Sequence, residues 1–188
     1  MKSLDTLIQD YIKSFPKENA ATKMLDFYRN VPNCFQKDNQ IGHFTGSAWV
    51  VSPDRKQILM THHKKLNMWL QLGGHADGSE DLINVAMREA KEESGIENII
   101  CVEQTILHLG VYYIPEIHQE PAHYHFDVCY LHYAHEPCTT VKSSESNALK
   151  WFSCSELCTT SQEPSIAIMA RKWQLLSHNI LETTDMMS

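Results

Sequence analysis

The sequence predicts an α/β fold in which a mixed β-sheet lies between helices. Three observations indicate this class. Segments rich in β-branched and aromatic residues recur on both sides of one acidic amphipathic helix, and a long amphipathic helix follows the last predicted strand. The chain has 188 residues, enough for one domain with a proper core and a small appendage.

The N-terminal region is predicted to form two helices outside the main domain. Apolar residues recur at helical spacing before Pro16, and a second apolar stripe runs from about residue 19 to residue 28. The polar residues 36–40 are typical of a linker. We therefore divide the chain into a helical extension at residues 1–35 and a main domain at residues 36–188. The apolar stripes are interpreted as packing surfaces, either on the main domain or on the partner in a homodimer.

The main domain is predicted to begin with two strands that are joined by a turn at Pro53-Asp54-Arg55. Further strands are expected after the acidic helix, and the final helix is expected to begin near Pro164. The predicted strands cover residues 43–51, 57–61, 96–102, 105–113, 123–133 and 150–152.

The strand at residues 123–133 places titratable side chains on one face. His123, His125 and Asp127 alternate with aromatic and apolar residues, which is the period of a β-strand. These side chains are expected either to contact a substrate, accept a proton or bind a metal, or else to line an ordinary polar sheet face. A separate hypothesis is a structural zinc protein that uses His123, His125 and cysteines.

The stretch around which the chain is organised reads GGHADGSEDLINVAMREAKEESGI, at residues 73–96. We predict a loop that opens at Gly73 and Gly74, followed by a helix over residues 80–94. Ser79 is the expected N-cap and Gly95 the expected C-terminal stop.

Three glutamates crowd one face of this predicted helix. Glu89, Glu92 and Glu93 stand at positions i, i+3 and i+4, so their carboxylates repel one another. A hard divalent cation such as Mg²⁺ would relieve the repulsion, because it takes oxygen ligands from carboxylates, phosphates and water. The backbone of Gly74, which has no Cβ, is able to approach such a cation closely.

The same stretch resembles the signature of the Nudix hydrolases, G-x5-E-x7-R-E-U-x-E-E-x-G-U, in which U is an apolar residue. Every fixed position is occupied, and Ala90 and Ile96 stand in the apolar places. The fixed positions are Gly74, Glu80, Arg88, Glu89, Glu92, Glu93 and Gly95.

The resemblance implies a Nudix-type α/β/α sandwich and the hydrolysis of a diphosphate bond with Mg²⁺ or Mn²⁺. Its implied metal ligands are Glu89, Glu92, Glu93 and the backbone carbonyl of Gly74. The implied catalytic carboxylates are Glu89, Glu93 and, from a later loop, Glu145. Glu93 and Glu145 are the two candidates for the general base. Glu80 and Arg88 are implied to be structural.

The substrate is expected to be a nucleoside diphosphate linked to another moiety, such as a dinucleoside polyphosphate or ADP-ribose. Candidate contacts are the basic residues His63 and Lys64, the strand residues His123 and His125, and Tyr112. For His63 and Lys64 a solvated loop is the competing interpretation. For the whole domain the alternative is a Nudix module that senses a nucleotide without cleaving it.

Charge and composition bear on partners and location. The net charge of −7 disfavours a nucleic-acid surface, and no apolar run is long enough to cross a bilayer. Asp5 and Asp10 interrupt the N-terminal apolar segment where a signal peptide would be apolar throughout. We therefore expect a cytoplasmic protein whose six cysteines are reduced.

Overall fold

The computed structural model describes residues 2–116 and 121–185. Its helices are α1 (Leu4–Ser14), α2 (Asn19–Asn30), α3 (Leu82–Ser94), α4 (Cys154–Thr160) and α5 (Pro164–Asp185). Its strands are β1 (Gly42–Val51), β2 (Gln57–His63), β3 (Met68–Leu70), β4 (Leu72–His75), β5 (Ile99–Ile114), β6 (His123–Ala134) and β7 (Ser146–Ser153). The predicted α/β class and the two N-terminal helices are confirmed.

The chain forms two compact units. The first comprises Met1–Ala48, Gly73–Glu89 and Cys101–Leu131, and the second comprises Trp49–Leu72, Ala90–Ile100 and His132–Ser188. Four elements, β1, α3, β5 and β6, begin in one unit and end in the other.

The first unit is built on strands β1, β5 and β6, with β6 between the other two and β4 paired to β1. Helix α2 covers this sheet through Phe27, whose ring stacks on Phe126 with 3.7 Å between centroids. Phe27 also contacts Phe44, with centroids 5.7 Å apart. The N-terminal helices are therefore part of this unit's apolar core, while the domain boundary at residue 35 stays a prediction.

In the second unit, β2 pairs antiparallel with β7, with β3 and with the end of β1. Its partners in β7 run from Ser153 opposite Gln57 to Ser146 opposite His63. Helix α4 follows β7 at once through a capping box, in which Ser153 and Glu156 each accept a hydrogen bond from the other's backbone N–H. No two of the six cysteines share a disulfide, and among the described residues no helix has the length and apolar character needed to cross a membrane.

The structure differs from two of the predictions about strands. Residues 96–102 and 105–113 were expected as separate strands, but β5 is one strand of 16 residues. Gln104 takes a φ of +56° where the break was expected, so one residue in left-handed conformation kinks the strand without ending it. Gly73 and Gly74 lie in strand β4 and not in a loop.

The close packing of α3 on β1 depends on Gly46. A Cβ at this position would lie 2.7 Å from the carbonyl oxygen of Leu82 and 3.1 Å from Cγ1 of Val85. A Cβ this close to the backbone of the helix would force the strand and the helix apart, so glycine is needed for this approach.

Gly46→Ala should therefore lower the free energy of unfolding by about 1–3 kcal/mol, since the added methyl overpacks the contact between strand and helix. Denaturant unfolding measures the change, and Ser144→Ala at an exposed loop position is the control. Equal stability of Gly46→Ala and the control would show that the contact relaxes without cost.

Candidate active site

Helix α3 begins at Leu82, two residues later than predicted, and is capped by Asp81. The Asp81 carboxylate accepts hydrogen bonds from the backbone N–H of Asn84 at 3.1 Å and from its side-chain amide at 2.7 Å. The expectation that Ser79 would be the N-cap was wrong. A carboxylate interacts more favourably than a hydroxyl with the positive end of the helix dipole, and the Ser79 hydroxyl instead accepts from the Asp81 N–H.

The C-terminal end of α3 is fixed as predicted by Gly95. Gly95 has a φ of +71°, and its N–H donates to the carbonyl of Lys91 at 2.8 Å. A Cβ on Gly95 would lie 2.9 Å from Cβ of Val141, so the loop before β7 packs directly on this helix end.

The carboxylate of Glu89 packs against the backbone of Gly74, which carries no side chain. If Gly74 carried a Cβ, that atom would lie 2.6 Å from Oε2 and 2.7 Å from Oε1 of Glu89. Arg88 forms a salt bridge with the same carboxylate, with Nη1 2.8 Å from Oε1. The half-buried carboxylate of Glu89 thus lies beside the peptide group of Gly74, and the guanidinium of Arg88 partly neutralises its charge.

Glu92 and Glu93 occupy the last turn of α3 in the second unit and differ in exposure. Glu92 is exposed, whereas Glu93 is only 7% exposed. The loop that precedes β7 is tied to this turn, because the N–H of Ser143 donates to the carbonyl of Glu93 at 3.3 Å and the N–H of Val141 donates to that of Ser94 at 2.6 Å. These bonds anchor the loop that carries Glu145.

Glu145 itself is exposed and lies beside the basic residues at the end of β2, His63 and the following Lys64. Its carbonyl accepts from the N–H of Lys64 at 3.0 Å, and burial lowers the pKa of His63 while the Glu145 carboxylate opposes that shift. The structure therefore brings together Glu145, His63 and Lys64, which the sequence had suggested separately. The Lys64 side chain is exposed.

Glu80 and Tyr112, two other predicted site residues, differ in exposure. Glu80 is exposed and close enough to Tyr28 to raise the pKa of that phenol, after burial as the main cause. The hydroxyl of Tyr112 is buried, whereas the adjacent Tyr113 is 60% exposed.

His123 and His125 belong to a cluster of four histidines in the first unit. They meet His43 at the start of β1, with ring centroids 5.1 Å and 4.8 Å from it, and His75 of β4 contacts His43 and His125 edge to face. Burial, and then the neighbouring imidazoles, lower the pKa of His43 to about 4 and that of His125 to about 3. Both rings are therefore neutral at pH 7.

The sequence analysis missed His43 and His75 as members of this cluster. The available signal was the alternation of His43, Thr45 and Ser47, which repeats in β1 the polar face of β6. Thr45 and Ser47 donate hydrogen bonds of 2.7 Å and 2.6 Å to the two carboxylate oxygens of Asp127, which is 5% exposed. Asp127 thus joins the polar faces of β1 and β6.

The comparison with known families matches the NUDIX domain over residues 43–173. The chain belongs to the Nudix family. Among solved structures, a Nudix hydrolase of Clostridium perfringens is 25% identical, with a TM-score of 0.56 over 71% of this chain and 97% of that one. An Ap4A hydrolase of C. elegans in a binary complex is 18% identical, with a TM-score of 0.58 over 72% of this chain and 98% of that one.

A MutT protein of Methanosarcina mazei is also similar, at 16% identity, with a TM-score of 0.56 over 71% of this chain and 94% of that one. The curated proteins contain no significant match to the sequence. The Nudix fold and a general pyrophosphohydrolase activity are confirmed.

Gly74→Ala tests whether the position of the Glu89 carboxylate beside Gly74 matters for activity. The added methyl collides with the carboxylate, so Glu89 must turn away, and kcat/KM for diphosphate hydrolysis should fall by at least about 100-fold, a loss typical of a displaced active-site group. Thr22→Ala, at an exposed position of α2, is the control and should keep full activity. Full activity of Gly74→Ala would show that Glu89 does not act from this position.

Proposed function

We propose that this Nudix hydrolase cleaves a diphosphate bond in a nucleoside diphosphate linked to another moiety, with Mg²⁺ or Mn²⁺ as the cofactor. The observation that carries the proposal is the carboxylate of Glu89 held against the unsubstituted backbone of Gly74. Glu92 and Glu93 follow one turn later on the same helix.

The residues present suit a hard divalent cation. The carboxylates of Glu89, Glu92 and Glu93 and the carbonyl of Gly74 are all oxygen donors, which Mg²⁺ and Mn²⁺ prefer. A side chain at position 74 would fill the space beside the Glu89 carboxylate, and glycine leaves that space open. When bound, the cation polarises phosphoryl oxygens and lowers the pKa of a coordinated water.

The chain's own residues supply the proton transfer. A water oxygen attacks phosphorus, the bond from phosphorus to the bridging oxygen breaks, and a carboxylate accepts the proton of the water. Glu93 and Glu145 are the two candidates for this base. Glu93 is buried and oriented by its helix, whereas Glu145 is exposed on a loop anchored to the same helix end. Arg88 holds the Glu89 carboxylate in place.

The substrate is proposed to be a dinucleoside polyphosphate or ADP-ribose. Lys64 and His63, next to Glu145, would contact its phosphates, and His123, His125 and Tyr112 are further candidates for contact. A panel of diadenosine polyphosphates, ADP-ribose, nucleoside triphosphates, nucleotide sugars and dinucleotide cofactors, assayed with Mg²⁺ and Mn²⁺, tests the proposal. Cleavage of diphosphate bonds in the first two classes is expected, and no cleavage in any class would refute it.

Glu92→Gln and Glu93→Gln should each lower kcat by about 100-fold or more, because each removes a negative charge from the cation site while keeping the side-chain shape. Steady-state kinetics with saturating Mg²⁺ measure the effect, and circular dichroism checks that the fold is kept. Glu97→Gln, an exposed glutamate just beyond α3, is the control and should keep full activity. Retention of most activity in both variants would contradict the assignment.

Glu145→Gln separates the two candidates for the base. If Glu145 accepts the proton, kcat falls by about 100-fold while the Mg²⁺ concentration for half-maximal rate stays unchanged. If Glu93 is the base, Glu145→Gln keeps its rate while Glu93→Gln is slow. An unchanged rate therefore removes Glu145 from the chemical step.

A further inference from the structure

Three histidines of the first unit converge outside the carboxylate site. His43 lies at the start of β1, and His123 and His125 lie at the start of β6, where alternate residues share a face. One ring nitrogen from each histidine lies within 4.8 Å of the others. His43 is about 80 positions from the other two in the sequence, so only the neighbouring positions of β1 and β6 in the sheet bring it to them.

The orientation of His123 is set from outside the cluster. Its Nδ1 lies 2.8 Å from the backbone carbonyl of Pro121, and because a carbonyl only accepts, Nδ1 carries the proton. In the neutral ring, Nε2 then presents its lone pair to the cluster, 3.1 Å from Nε2 of His125. A carbonyl that fixes the far nitrogen is the usual support for a metal-binding histidine.

His43 is the second independent observation. Its side chain is 1% exposed, and among the described residues neither ring nitrogen has a hydrogen-bond partner. An imidazole buried in this way loses its hydrogen bonds to water and gains none in return, which is costly. The cost is relieved if one of its nitrogens binds a ligand in the cluster.

We propose that His43, His123 and His125 bind one divalent transition-metal ion, with zinc as the representative, at a site separate from the carboxylates of α3. Imidazole nitrogens suit Zn²⁺ and its neighbours in the transition series, whereas Mg²⁺ prefers oxygen. Two imidazole nitrogens about 2.0–2.1 Å from one tetrahedral ion stand roughly 3.3 Å apart. The 3.1 Å between the Nε2 atoms of His123 and His125 is close to that separation.

The surroundings distinguish this site from the zinc site expected from the sequence. That hypothesis paired His123 and His125 with cysteines, but among the described residues His43 completes the group and no cysteine belongs to it. His75 packs edge to face on His43 and His125, with centroids 5.0 Å and 5.1 Å away. Three protein ligands leave a fourth position of a tetrahedral ion for water or an incoming ligand.

The test uses the full chain, free of any affinity tag, stripped with a chelator and titrated with Co²⁺ and then Zn²⁺. We expect visible absorption bands of four-coordinate Co²⁺ that saturate at about one ion per chain and are displaced by Zn²⁺. Elemental analysis of untreated protein should show the same stoichiometry of a transition metal. No saturable Co²⁺ spectrum in the wild-type protein would overturn the proposal, whatever the variants do.

The variants locate the site. His43→Ala and His125→Ala should each weaken Zn²⁺ binding by about 100-fold or more, while His135→Ala, an exposed histidine, and the double variant Cys154→Ser with Cys158→Ser should leave it unchanged. Glu92→Gln should also leave it unchanged, which separates this site from the proposed catalytic cation. Unchanged binding in both histidine variants, or equal loss in the cysteine variant, would contradict the assignment. If His43→Ala fails to fold, the Zn²⁺ titration is repeated with His43→Asn, and the Co²⁺ spectrum of the wild-type protein remains the decisive measurement.

Discussion

The close approach of the Glu89 carboxylate to the backbone of Gly74 is the contact on which the proposed active site depends. It requires that α3 lie near the sheet and that β4 carry no side chain at this point. Gly46 meets the first condition, because it lets the first turn of α3 rest on β1, and Gly74 meets the second. Asp81 and Gly95 then set where the helix begins and ends. The acidic residues are thereby presented from a rigid element, which is what a cation site needs.

Polar residues in the sheet form a second system with a different chemistry. The buried carboxyl group of Asp127 accepts two short hydrogen bonds from hydroxyls of β1, and such bonds reduce the cost of burying a polar group. Further along the same faces lie the histidines His43, His123 and His125. The Nudix fold of this chain thus carries hard oxygen donors on a helix and nitrogen donors on a sheet, two sets that favour different metals.

Local patterns were sufficient to predict much of this structure. The acidic helix, its glycine stop and the long alternating strand β6 follow from periodicity and spacing over a few turns, and the signature residues locate the helix within the chain. Where two neighbouring residues compete, as Ser79 and Asp81 do for the N-cap, local pattern did not decide, because the choice depends on where the helix meets the sheet. The continuity of strand β5 was missed because nothing in the sequence shows that Gln104 takes a left-handed conformation within a strand.

Features that depend on pairing between distant strands were not predictable in the same way. His43 joins His123 and His125 only because β1 lies beside β6. The alternation of His43, Thr45 and Ser47 indicates a polar face but does not indicate which strand lies beside it. The contact of the Glu145 loop with the end of α3 is of the same kind, since it joins segments about 50 residues apart through backbone hydrogen bonds. The substrate could not be predicted from the signature either, because the signature residues indicate which bond is cleaved and not which group is attached to it.

The central claim is that the carboxylates of α3, with Glu89 held at Gly74, bind the divalent cation that supports hydrolysis. Electron paramagnetic resonance of Mn²⁺ binding tests it most directly, with the wild-type protein compared with Glu89→Gln. The account predicts that the wild-type protein binds Mn²⁺ in competition with Mg²⁺, and that Glu89→Gln loses about 10-fold or more in affinity while its thermal stability stays within a few degrees. Equal Mn²⁺ affinity in the two proteins would contradict the claim.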